Sequence, residues 1–295
     1  MTEKQLFTMV GIRPEPTVPK KKVSRLKGFP WVSVVLMAAI ILCCLFAEVL
    51  MTKDPAYLDL KNFNVAPNGE FLFGTDNLGR DIFSGIWYGG RISITIGFLA
   101  TLISTLIAVV YGSVSGIAPQ WVDTLLMRFT EVFLSVPGLL LVLFLQAILG
   151  QANVLTLSIV LGVTSWAAIA KVIRTEVRQL RNSEYVVASR CMGGKFFHIL
   201  RKHLAPNFVA SIMFMVVMNV RGAIGAESTL SFMGMGLPLE IISWGSMLSL
   251  SEKALLTDSW WIILIPGAFL VTLLMCLTNL GNYLRKTANR KESNL

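Results

Sequence analysis

The two histidines are the first residues to test for chemistry, since imidazole holds metals and moves protons near neutral pH. His198 and His203 stand five residues apart. That puts them about 140° from each other around a helix, which is not the spacing of an HExxH metal pair. Cys43, Cys44, Cys191 and Cys276 form no CxxC motif, and three of them lie in apolar runs where a thiol is a small filler. The lysine in "GGKFF" (193–197) has no phosphate loop around it, because the glycine spacing is wrong and Phe196 stands where a hydroxyl is required. No GxSxG elbow and no pair of intramembrane aspartates occurs. No catalytic site, metal site or cofactor of the chain's own is expected.

What remains is charge in places where charge is costly. Arg221 falls about fourteen residues past Pro206, roughly 21 Å along an apolar helix. An arginine at such depth costs about 2.5–3.5 kcal/mol on insertion scales, so it faces protein or water, or else snorkels to the outer surface. Arg221 is therefore a candidate for lining a pathway. Glu227 follows six residues later. Arg80 and Asp81, in a glycine-rich loop, are candidates for docking an external protein, against the plainer reading that they are solvated.

The elements that would carry these groups follow from composition. Apolar residues make up 54% of the 295 and charged residues 15%, where a soluble domain carries about a quarter charged. Long uninterrupted apolar runs point to an all-α polytopic membrane protein, because a barrel strand would alternate every second residue. Six spans are expected: Trp31–Met51, Ile92–Ile117, Phe133–Leu149, Val154–Ile173, Phe208–Ala226 and Trp260–Tyr283. The third is short, and its helix can begin near Trp121. Pro137 and Pro266 fall inside spans, as hinges or as static kinks.

The organisation reads as a tail over 1–30, a first span over 31–51 and an outer loop over 52–91. A core over 92–284 and a tail over 285–295 complete it. Asp76 is a candidate cap for a short helix containing Arg80 and Asp81. Ile82, Phe83, Ile86 and Trp87 then suggest a separate interfacial helix. With the amino terminus inside, 20 of the 26 Lys and Arg residues fall in inner segments, so both termini are expected in the cytoplasm. The net charge of +9 therefore reflects topology, and no nucleic-acid partner is expected. Lys20, Lys21 and Lys22 either serve that topology or meet anionic lipid.

The inner stretch "EYVVASRCMGGKFFHILRKHLAPN" (184–207) is expected to hold two short helices. Ser183 caps the first, and Glu184 suits its amino-terminal dipole. Tyr185, Ala188, Ser189 and Met192 share one face of it. Gly193 and Gly194 interrupt. Phe196, Ile199, Leu200 and Leu204 then resume an apolar face, with Lys195, Arg201 and Lys202 turned away. Periodicity alone leaves two readings open: a docking knob for a partner, or an interfacial connection between the fourth and fifth spans.

A resemblance bears on that choice. "VVASRCMGG…HLAPN" resembles the cytoplasmic loop of ABC importer permeases, in which a Glu-Ala-Ala triplet is followed by a glycine and a Leu-Pro pair. Val187, Ser189 and Ala205 depart from the pattern; Ala188, Gly193 and Pro206 keep it. "FGTDNLGRDIFSGIWYGGRISITIG" (73–97), "AESTLSFMGMG" (226–236), "SWGSML" (243–248) and "NLGNYLRK" (279–286) are similar to the C-type permeases of dipeptide, oligopeptide and nickel importers. Asn282 and Lys286 stand where that family often has aspartates. Glu227 matches an acidic position of the family, which implies that it marks the outer mouth of a translocation pathway together with Arg221.

The resemblance implies a six-helix type I ABC importer permease fold in a bacterial cell membrane. Residues 184–204 would contain the coupling helix, with Glu184, Tyr185, Ala188, Ser189, Met192, Gly193 and Gly194 meeting an ATPase. It implies a second permease subunit as heterodimer partner, two cytoplasmic ATPase subunits carrying ATP and Mg, and an extracytoplasmic binding protein. Peptides are the leading cargo and nickel or a metal chelate the alternative. A secondary transporter working without ATP is the rival from another class.

Overall fold

The computed structural model describes residues 29–250, 254 and 258–292. The basic run at 20–22 and nearly all of the amino-terminal tail lie outside them. Among the described residues the regular structure is helical, apart from one isolated bridge between Thr75 and Asp81.

Helix α1 (Trp31–Leu45) stops where Phe46 leaves helical geometry, and α2 (Ala47–Leu50) completes the first apolar run. A loop with a 3-10 turn at Leu60–Asn62 leads to α3 (Ile82–Ile117), a single helix of 36 residues. The expected interfacial helix is therefore the start of α3. Its glycines do not break it, because other chain segments pack into the space they leave: a Cβ on Gly90 would come 2.6 Å from both Trp244 and Cys44. Tertiary contact overrides local propensity here.

Helix α4 (Gln120–Ser135) begins just after Pro119, and α5 (Gly138–Leu149) follows an 89° bend. Pro137 makes that corner: it has no N–H to offer, and it holds Val136 in an extended conformation. Helix α6 (Val154–Thr164) opens on a capping box between Asn153 and Thr156, and meets α7 (Ala167–Leu180) at 46°. The fourth expected span is thus broken. The hydroxyls of Thr164 and Ser165 donate back to the carbonyls of Val160 and Leu161, at 2.9 and 2.7 Å, an arrangement that bends helices.

Helix α8 (Glu184–Cys191) and α9 (Phe196–Ile199) come next. A π-type turn over Leu200–Leu204 then joins them to α10 (Ala205–Phe232). The wider turn lies just before Pro206, whose ring does not fit a regular preceding turn. Helix α11 (Trp244–Ser249) carries a Ser243–Ser246 capping box. The last helix, α12 (Trp261–Glu292), continues through Pro266.

The segments Ile82–Ile117 and Trp261–Thr287 are each long and apolar enough to cross a bilayer, and the two bent pairs bring the number to four. Helix α1 has 15 residues and α10 has 28.

Helix α3 is the central strut, against which α1, α6, α7 and α10 pack. Close approach depends on its small residues. A Cβ on Gly97 would lie 2.5 Å from Ile224 of α10, and one on Gly112 would lie 2.6 Å from the Ala170 carbonyl of α7. Toward the α8–α9 end, Ala108, Ile173, Val177, Val186, Ile199 and Leu204 belong to one buried cluster. At the opposite end Trp244 is fully buried, its indole N–H donating to the Ile86 carbonyl at 2.9 Å. Phe98, Leu102, Leu106, Phe144, Ile148 and Met275 stay exposed. An apolar surface of this extent suits lipid or another apolar helix.

Candidate functional site

The α8–α9 segment has two sides of different character. On the inner side Val186, Ser189, Ile199 and Leu204 are buried, and the three apolar residues join the cluster that contains Val177 of α7 and Ala108 of α3. On the outer side Glu184, Tyr185, Ala188 and Met192 are exposed, Met192 at 82% and Tyr185 at 44%. Phe197 of α9 is 76% exposed. Lys195, Arg201 and Lys202 also face out. The segment is a projecting foot fixed on one side and offered on the other.

The two glycines make the elbow in different ways. Gly193 has φ +81, a left-handed conformation that a side chain disfavours, and open space beyond it. Gly194 donates its N–H to the Ser189 carbonyl at 2.9 Å, and a Cβ there would come 2.7 Å from that same oxygen. Ser189 therefore lies inside the elbow. The single face expected for Tyr185, Ala188, Ser189 and Met192 is split, because closing the turn draws Ser189 inward. Ser183 opens α8 through its carbonyl, which accepts from Val186 and Val187 at 3.0 Å, while its hydroxyl donates to Leu180 at 2.6 Å.

Arg80 and Asp81 do not form an open charged patch. Asp81 is buried at the start of α3, accepting from the Ser84 N–H at 3.0 Å, the Ser84 hydroxyl at 2.5 Å and the Thr52 hydroxyl at 3.2 Å. Arg80 lies 3.5 Å from Asp76 and donates to the Leu239 carbonyl at 3.0 Å, tying the loop before α3 to the one between α10 and α11. The expected helix capped by Asp76 is a turn, in which the Asp76 carboxylate accepts from Leu78 and Arg80 N–H groups at 2.8 and 2.9 Å. Burial pushes the Asp76 carboxyl above the ordinary carboxylate range, against those N–H groups and the Arg80 charge. Helix-capping aspartates and loop-facing ones look alike in sequence, which is why Asp81 reads as a surface charge.

Glu227 lines no open surface of this chain either. It lies within α10 with 0% exposure and accepts from four serine hydroxyls. Ser243 donates at 2.7 Å, Ser93 at 2.9 Å, Ser231 at 3.1 Å and Ser228 at 3.3 Å. The carboxylate thereby joins α3, α10 and the start of α11. Arg221 is exposed beside an open groove of about 250 Å³ with Val271, Leu274, Met275, Thr278 and Asn279. Among the described residues it has no carboxylate partner.

The sequence reading missed Asp123. It is 2% exposed and meets two arginines of α7: Arg174 donates from Nε and Nη2 to separate oxygens at 2.5 Å, and Arg178 from Nη1 at 2.5 Å. Ser115 of α3 adds a fourth donor at 2.6 Å. The available signal was a stripe: Arg174, Arg178 and Arg181 recur at the i, i+4, i+7 spacing of one helix face, which asks for an acidic partner.

Residues 108–290 match the family model described as binding-protein-dependent transport system inner membrane component. The chain is 39% identical over 228 residues to the dipeptide transport system permease protein DppC of Bacillus subtilis, covering 77% of this chain and 71% of that relative. It is 36% identical over 260 residues to the oligopeptide transport system permease protein OppC of the same organism, covering 88% and 85%. Among solved structures, a chain from inward-facing conformations of the MetNI methionine ABC transporter superposes with a TM-score of 0.53. It covers 69% of this chain and 96% of the other, at 16% identity, and so speaks for the fold alone. The protein belongs to the family of binding-protein-dependent transport system inner membrane components.

Proposed function

We propose that this chain is one transmembrane subunit of an ATP-driven peptide importer, and that the exposed face of α8 is where a separate ATPase pushes on it. The observation that carries the reading is the two-sided foot. Met192, Tyr185 and Glu184 are exposed while Val186 and Ile199 are locked into the core, so force on the first set moves the second. Peptide as cargo is supported by the dipeptide and oligopeptide permeases among the relatives. In this reading α1 with α2, α3, α4–α5, α6–α7, α10 and α12 make six spans. Helix α10, with 28 residues, reaches about 42 Å, enough for a hydrocarbon core of about 30 Å. Both termini and the foot lie on the cytoplasmic side. A second permease completes the pathway, and an external binding protein docks on the opposite face.

Reconstitution of the whole complex in vesicles tests this. Binding protein loaded with peptide is expected to stimulate ATP hydrolysis and drive uptake, and a photocrosslinker at Met192 to capture an ATPase subunit. Gly193→Val, which forces a side chain into left-handed backbone at a cost of about 1–2 kcal/mol, is expected to abolish the stimulation. A crosslinker that captures only lipid, with stimulation intact in Gly193→Val, would sink the proposal.

A further inference from the structure

Helix α4 is held to the chain at few points. On one side an open apolar groove of about 580 Å³ separates it from α3, lined by Leu106, Ile107, Val110, Tyr111, Val114 and Leu126. Elsewhere Trp121, Leu125, Phe129 and Val132 are exposed. Two polar attachments fix it. Near the middle, the Tyr111 hydroxyl donates to the Leu126 carbonyl at 2.6 Å and accepts from Thr130 at 3.2 Å. At the start, Asp123 takes both arginines of α7 together with Ser115.

The second attachment has a direction. Helix α7 runs on through residues 181–183 into α8, and its Val177 shares a buried cluster with Val186 and Ile199 of the foot. Arg181 also donates to the Gly116 carbonyl at the end of α3, at 3.2 Å. Apolar contact is non-directional and lets surfaces slide. A guanidinium fork on two carboxylate oxygens fixes distance and orientation together.

We propose that the clamp of Asp123 with Arg174 and Arg178 passes displacement of the foot to α4 and, around the Val136–Pro137 corner, to α5. Asp123 is then a positioning residue for transport. This rests on the reading of α8 as the coupling face, and it adds the route by which motion leaves α7.

The test is the ratio of peptide taken up to ATP hydrolysed, measured with the complete complex in vesicles. Asp123→Asn is expected to keep binding-protein-stimulated hydrolysis and to lower that ratio at least about fivefold, the lower end of typical coupling factors. Asp123→Glu, which keeps the charge, is expected to recover most of it. A ratio unchanged in Asp123→Asn, or equally low in Asp123→Glu, overturns the proposal. Should Asp123→Asn fail to assemble, Arg178→Gln leaves the two Arg174 contacts in place and is expected to lower the ratio by a smaller factor; an unchanged ratio there overturns the proposal too. Loss of stimulated hydrolysis in Gly193→Val reports on the coupling face itself, so failure of one idea is distinguishable from failure of the other.

Discussion

Glu227 and Asp123 are both buried carboxylates, and the chain satisfies them by opposite means. Asp123 has two guanidinium groups on it, whereas Glu227 has only serine hydroxyls. Hydroxyls donate or accept as they rotate, so the Glu227 cage adapts to its occupant in a way the arginine clamp does not. Glu227→Gln is therefore expected to fold with little loss. Glu227→Ala strands hydroxyls from three elements and leaves a cavity, at about 2–4 kcal/mol. Thermal unfolding in detergent measures both, and an alanine variant as stable as the native chain would remove Glu227 as a keystone. Sequence places Glu227 just past the expected span Phe208–Ala226, and the resemblance puts it at a mouth. In the fold the helix runs on to Phe232: Ser228 and Ser231 turn toward the carboxylate, while Thr229 donates to the Gly225 carbonyl at 2.8 Å. Arg221 is the simpler case, exposed on a groove. Arg221→Met in the assembled complex is expected to slow peptide uptake, and normal uptake would strike it from the pathway.

Elements were legible where apolar periodicity set them and illegible where packing did. The foot follows from its own pattern: Gly193-Gly194 at the elbow, Ile199 and Leu204 inward, Lys195 and Arg201 outward. The continuity of α3 does not: a helix at Ile82–Trp87 is expected, but as a separate piece, since Gly89 and Gly90 read as a break until Ser243 and Trp244 are brought over them. The bend between α6 and α7 is likewise hidden, because Thr164 and Ser165 are compatible with a straight helix and become a corner only when their hydroxyls turn back on the backbone. The same contrast gives a prediction about α3 against α7. Gly112→Val pushes a side chain into the Ala170 carbonyl and Ile173, where backbone blocks relief, and is expected to cost about 2 kcal/mol or more. Gly222 in α10 has open space around it, so Gly222→Ala is expected to gain up to about 1 kcal/mol of helix propensity. Thermal melts of the two variants in one detergent test the pair, and equal shifts would mean that the α3–α7 contact is looser than its distances state.

For the molecule as a whole, orientation is the physical fact on which coupling depends, because a foot on the wrong side of the membrane meets no ATPase. The asymmetry of Lys and Arg supports the proposal that it lies inside, with Lys195, Arg201 and Lys202 exposed beside it. The chain carries its own reporter. Cys191 ends α8 and is exposed, whereas Cys44 and Cys276 are buried and Cys43 is partly covered within α1. A membrane-impermeant maleimide applied to intact cells is expected to leave Cys191 unmodified, and the same reagent on inverted vesicles to modify it, as read by mass spectrometry of the peptide containing residue 191. If ATPase subunits dock on this face, their binding is expected to cover Met192 and its neighbours and slow the modification, and stripping them to restore it. Modification of Cys191 from outside the cell would reverse the topology and remove the foot from the reach of any cytoplasmic partner. Modification from inside that is indifferent to the ATPase subunits would keep the topology and take away the coupling face.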